Sequence, residues 1–121
     1  MKFKKLVKAA DEVKSSNYDK LVEIGESLGW EIRKEFKSSI YIGQYSPAGE
    51  DFFFYIEDNE HLGKQIFEHA ENFDEDEHIE MWLEAKKNGT SGVPSARELV
   101  HDAEDIQKML DELAEATRVI W

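Results

Sequence analysis

The chain has 121 residues, with 15 Lys and Arg against 27 Asp and Glu, a formal net charge of −12, 40% hydrophobic residues and no cysteine. That length suits a single domain, 1–121, which can bury roughly two-thirds of its unfolded surface and so build a core without staples. The composition excludes disulfide frameworks, thiolate catalysis and cysteine-ligated zinc or iron–sulfur sites, and the acidic charge disfavours non-specific binding to nucleic acid or anionic lipid, leaving a basic partner as the expected one.

From Phe3 the apolar positions Phe3, Leu6, Val7, Ala10 and Val13 keep the spacing of one helix face, and a first helix is expected to end near Lys14. Ser15-Ser16-Asn17 interrupts it and offers a cap. Tyr18, Leu21, Val22, Gly25 and Leu28 then repeat the stripe until Gly29. Short β-forming runs follow, separated by the turn Ser46-Pro47-Ala48-Gly49, and predict an antiparallel meander over roughly 30–36, 39–45 and 51–57. Alternation assigns Ile40, Ile42, Phe52, Phe54 and Ile56 to the core side and Tyr41, Tyr45, Phe53 and Tyr55 to the opposite side. Either later helices cover that second face or it is a contact surface.

Leu62, Ile66, Phe67, Ala70 and Phe73 predict a third helix, and Ile79, Trp82, Leu83 and Lys86 a fourth that opens with Glu75, Asp76 and Glu77. Asn88-Gly89-Thr90-Ser91-Gly92 stops it. Ser95 and Glu98 form a capping box before a last helix with the seam Leu99, Ala103, Ile106, Leu110, Leu113 and Thr117. The expected fold is therefore α+β, with two N-terminal helices, a three-stranded antiparallel sheet and three C-terminal helices. No apolar run approaches the ~18 residues of a membrane span, and the Lys-rich start leads into Ala-Ala-Asp-Glu rather than an apolar signal core, so a soluble cytoplasmic protein is expected.

The charge is unevenly placed. Residues 1–37 carry a net of +2, whereas residues 57–84 hold eleven acids against Lys64 alone, a net of −10, and residues 98–115 add a net of −6. Two neighbouring helices would then share a negative surface. The plain reading is a solvated face, and acids in the first turn of a helix are also favoured by its dipole. The sharper reading is a decoy for a nucleic-acid backbone, which competes for a basic groove.

Sites with chemistry are weaker. His61, His69, His78 and His101 make no two-His pair at helical spacing. His78 with Glu77 and Glu80, or His101 with Asp102 and Asp105, would hold a hard metal only if folded together with Asp74 or Asp76. The expected role is exposed polar residues, with no metal site and no cofactor. Gly89 to Arg97 leads a Gly-rich loop into a helix start, yet lacks the Lys and spacing of a Walker loop. Lys2, Lys4, Lys5 and Lys8 read as one solvent side of a helix, with a small RNA-facing patch as the alternative.

The stretches YSPAGEDFFFYIE, FDEDEHIEMWLEAKKNG and GVPSARELVHDAEDIQKMLDELA, within residues 45–115, resemble small acidic proteins carried by plasmids and integrative elements of Gram-positive bacteria, some of which are anti-CRISPR inhibitors of the type II-A RNA-guided nuclease. The resemblance implies inhibition of that nuclease in a bacterial host by blocking guide or DNA engagement, since such enzymes hold nucleic acid in basic channels. The expected contacts are Asp74, Glu75, Asp76, Glu77, Glu80, Glu84, Asp102 and Asp105, with Tyr45, Phe53 and Tyr55 as apolar anchors. The alternatives are an immunity or antitoxin protein for a basic nuclease toxin, and a small metal-dependent nuclease acting on guide RNA. Direct DNA binding and membrane association are not expected.

Overall fold

The computed structural model describes residues 17–87 and 96–121, with the backbone alone at 82, 83, 85–87 and 96–99. A helix over residues 17–27 (α1) leads into three strands, β1 Glu31–Glu35, β2 Ser39–Tyr45 and β3 Asp51–Glu57. The helices α2 Leu62–Asn72, α3 Glu75–Lys87 and α4 Ala96–Ala116 follow, with a closing 3-10 turn Thr117–Ile120. The class is α+β, and four of the five expected α-helices fall among the described residues. The helix expected over 3–14, the Lys2–Lys8 cluster, Ser95 of the capping box, most of the Gly89–Arg97 loop and the side chains of Trp82 and Leu83 lie outside them.

The sheet runs β1-β2-β3, antiparallel throughout. Its register puts Ile32, Ile42 and Phe54 opposite one another, and Ile40 opposite Ile56, all buried on one face. A period of two then sends Arg33, Tyr41 and Tyr55 to the other face, as the alternation predicts. The inner face joins Leu21 of α1, Leu62, Ile66 and Ala70 of α2, and Ile106, Leu110 and Leu113 of α4 in one core.

The first strand is shorter than expected at both ends, for local reasons. Trp30 belongs to the end of α1: its N–H donates to the Gly25 carbonyl at 2.8 Å while the Gly29 N–H donates to Glu26 at 3.0 Å, the paired bonds of a Schellman cap. Its ring enters the core, edge-on to Phe52 and Phe54. Phe36 at the other end turns the chain with Lys37, both at positive φ, and is almost fully exposed.

Two polar clamps and one close approach fix α2. Gln65 receives the Glu57 N–H at 2.8 Å and returns a bond to the Glu57 carbonyl at 2.8 Å, tying the end of β3 to the helix. Gln107 of α4 donates to the Ala70 carbonyl at 2.9 Å, satisfying a terminal acceptor of α2. Gly63 packs directly on the chain end: a Cβ there would collide with the Thr117 carbonyl and lie 3.0 Å from the Trp121 Cα, both backbone atoms. Alanine normally gains up to about 1 kcal/mol over glycine in a helix, but overpacking against backbone costs about 1–3 kcal/mol. Gly63→Ala is therefore expected to lose about 1–2 kcal/mol of stability, read as a lower urea midpoint at unchanged slope.

Candidate functional site

The turn between β2 and β3 places the first component. Pro47 supplies the fixed φ, Gly49 sits at φ 90°, and the buried Ser46 closes the loop three ways. Its carbonyl accepts the Gly49 N–H at 2.8 Å, its N–H donates to the Glu50 carbonyl at 2.8 Å, and its Oγ accepts the Glu50 N–H at 3.0 Å. Glu50 is thereby held with its carboxylate directed at α3.

The start of α3 places the second. Asp74 caps the helix, its Oδ1 accepting the Glu77 N–H at 3.1 Å and its carbonyl accepting the His78 N–H at 3.0 Å. One turn in, His78 is 7% exposed, with the rings of Phe73 and Phe52 at 5.4 and 6.3 Å. Its Nε2 donates to Glu50 Oε2 at 2.6 Å and lies 3.8 Å from Asp102 Oδ2 of α4. Asp102 is 1% exposed, and neither of its oxygens has a hydrogen-bond partner within normal distance among the described residues.

Burial works against a charged imidazole here, yet the hydrogen bond and charge of Glu50, with the charge of Asp102, outweigh it and raise the His78 pKa above the ordinary histidine value. The three groups bring one nitrogen and two carboxylate oxygens within 4.8 Å of one another, a donor set able to hold a divalent ion. A cleft of about 650 Å³ lies away from these residues, beside Tyr18, Lys34, Asp58 and Glu60.

Two expectations are corrected by this geometry. His78 is not an exposed polar residue, because the Glu50 and Asp102 carboxylates draw it inward, and its neighbours Glu77 and Glu80, proposed as co-ligands, point to solvent. Asp102 leaves the acidic surface altogether, since its position between the α4 seam residues turns it into the core. Glu75 and Asp105 are half-buried. Asp74, Asp76, Glu77, Glu80 and Glu84 are exposed as expected. Asp76, Glu77, Glu80 and Glu84 form no ion pair with any Lys or Arg among the described residues.

The outer sheet face is a second surface. Tyr41 stacks on Phe53 at 5.7 Å and meets Tyr55 edge-on at 5.8 Å, while Phe53 and Tyr55 stand 6.0 Å apart. The Arg33 guanidinium lies 4.0 Å over the Tyr41 ring, is paired with Glu31 and Glu35, and Tyr55 donates to Glu35 at 3.2 Å. Phe53 and Tyr55 remain about half exposed and Tyr45, at the end of β2, is 71% exposed. Among the described residues no helix covers this face.

No protein-family model, curated protein or solved structure matches the chain. Among the described residues no helix is long and apolar enough to cross a membrane.

Removing the basic group that lies between two carboxylates should be costly. His78→Phe, measured with EDTA present, is expected to lower stability by about 3–5 kcal/mol, the usual result of breaking a buried pair. Because the folded pKa of His78 is raised, its contribution is complete below the ordinary histidine pKa and is lost as pH rises through the raised value. Urea midpoints of the native protein should fall as pH rises through that window, and His78→Phe should show no such step.

Proposed function

We propose that the protein is a stoichiometric inhibitor that docks on a basic nucleic-acid enzyme, with a type II-A RNA-guided nuclease as the leading target. The observation that carries this reading is the exposed stripe Asp76, Glu77, Glu80 and Glu84 on α3, which meets no Lys or Arg among the described residues. At a rise of 1.5 Å per residue these four charges span about 12 Å, or about one per 3–4 Å, the linear density of a single nucleic-acid strand. A stripe of that density fits a channel built to grip phosphates, where encounter is fast at low salt.

The aromatic face supports the same reading from a different direction. Tyr and Phe in a preformed cluster supply contact area at small entropic cost, and the His78–Glu50 bond sets the acidic start of α3 beside the hairpin end that carries Tyr45. An enzymatic reading draws little from His78, which is buried against the rings of Phe52 and Phe73.

Target-DNA cleavage by a purified type II-A nuclease, with the protein added before guide RNA, after guide RNA and after DNA, tests the proposal. Inhibition at stoichiometric protein with guide RNA recovered intact is the expected outcome. Cleaved guide would replace it with the nuclease alternative, and no inhibition across several orthologous enzymes would shift the reading to an immunity protein for a single cognate toxin.

Substitution separates the two surfaces. Replacing Asp76, Glu77, Glu80 and Glu84 by Asn or Gln should change stability by less than about 1 kcal/mol, because exposed carboxylates contribute little. Partner affinity should fall at least about tenfold and lose most of its salt dependence. Phe53→Ala removes about 0.5–1.5 kcal/mol of aromatic pairing from the fold and is expected to weaken the complex by about 2 kcal/mol or more. Calorimetric titration at two salt concentrations reads both effects.

A further inference from the structure

Asp102 lacks a hydrogen-bond partner among the described residues. Its carboxylate is 1% exposed, both oxygens lack a donor there, and His78 Nε2, which stands 3.8 Å away, is already engaged by Glu50. A buried carboxylate without donors is strongly disfavoured, and protonating it removes the charge without supplying a donor to its lone pairs.

We propose that Glu50, His78 and Asp102 form a binding site for a divalent first-row transition cation, which ties the β2–β3 hairpin to α3 and α4. A divalent ion gives the Asp102 oxygens the partner that no described residue supplies, with the imidazole as a neutral nitrogen ligand beside them. The donor set selects the ion class: an imidazole nitrogen with two carboxylate oxygens suits zinc, cobalt or manganese, whereas magnesium prefers oxygen ligands and keeps its waters. A tetrahedral ion about 2.0–2.2 Å from each donor needs donor separations of about 3.3–3.6 Å. The present His78 separations of 2.6 and 3.8 Å bracket that range, and the three donor atoms all lie within 4.8 Å of one another. The surroundings fit a structural ion rather than a reaction centre, because Phe52 and Phe73 wall the histidine. The three ligands also come from three separate elements, so an ion here cross-links the fold.

The test titrates Co²⁺ and Zn²⁺, with Mg²⁺ in parallel, into the chelator-treated and dialysed full chain, reading heat, the visible Co²⁺ spectrum and the thermal midpoint. One tight equivalent of Co²⁺ or Zn²⁺ is expected, and metal at a hundred times its Kd should raise the folded-to-unfolded ratio about a hundredfold. Asp102→Asn and His78→Gln should each weaken binding by at least about tenfold and remove most of the thermal gain. If either variant does not fold, the histidine side-chain nitrogen spectrum of the unaltered protein decides: Zn²⁺ should move the His78 resonances and leave the exposed His61, His69 and His101 in place. The proposal is overturned by the absence of an equivalent below millimolar metal, by binding that Asp102→Asn leaves unchanged, by equal affinity for Mg²⁺, or by shifts confined to the exposed histidines.

Discussion

Among the described residues His78 is the basic group set between two carboxylates that the fold removes from water, and the arrangement of the C-terminal half follows from how that charge is met. Glu50 reaches it from the hairpin, Asp102 from α4, and α3 carries it. Of the described side chains of α3, His78 is buried and Ile79 half-buried beside it. The contact of His78 with Glu50 and Asp102 ties α3 to the hairpin and to α4, and so specifies a docking angle even where its net contribution to stability is small.

Docking angle and surface chemistry are linked by the helix period. At about 100° per residue, Asp76, Glu80 and Glu84 lie roughly 160–240° from His78 around the axis, and Glu77 roughly 100° to the other side. Turning His78 inward therefore forces these carboxylates outward, while Glu75, about 60° from His78, falls half-buried as observed. The acidic face is in this sense a geometric consequence of the buried histidine. The dipole and the Asp74 cap account for acids in the first turn, but Glu80 and Glu84 lie beyond the reach of that local explanation.

The strands, the turn and the faces of the sheet were legible because each rests on a short-range rule. Period two sorted Ile40, Ile42, Phe54 and Ile56 from Tyr41, Phe53 and Tyr55, and Ser46-Pro47-Ala48-Gly49 marked the reversal between them. The ends of β1 were misplaced because Trp30 is claimed by the cap of the preceding helix and Phe36 by a positive-φ turn, neither of which β propensity registers. The buried cluster was missed for a different reason: Glu50, His78 and Asp102 are 28 and 24 residues apart, and no local spacing joins them. A signal existed nonetheless. Asp102 falls three residues after Leu99 and four before Ile106, on the apolar seam of α4, and His78 falls four before Trp82 on the inner stripe of α3. An acid and a histidine on apolar stripes of adjacent helices mark a contact, whereas reading them with their sequence neighbours Glu77, Glu80 and Asp105 placed them on the surface.

The molecule thus treats one residue type in two opposite ways. Inside, Glu50 and Asp102 both face His78, and in such a low-dielectric site an unmatched charge is more expensive than any contact it could make. Outside, Asp76, Glu77, Glu80 and Glu84 meet no Lys or Arg among the described residues. Solvent and salt tolerate that surplus at small cost, so the fold has no need to neutralise it. The same surplus gains strength only where water is excluded and positive charge is supplied from elsewhere. Under the proposed inhibitory role, an acidic stripe held at fixed geometry by a buried contact meets its partner without the cost of ordering α3 in the binding step.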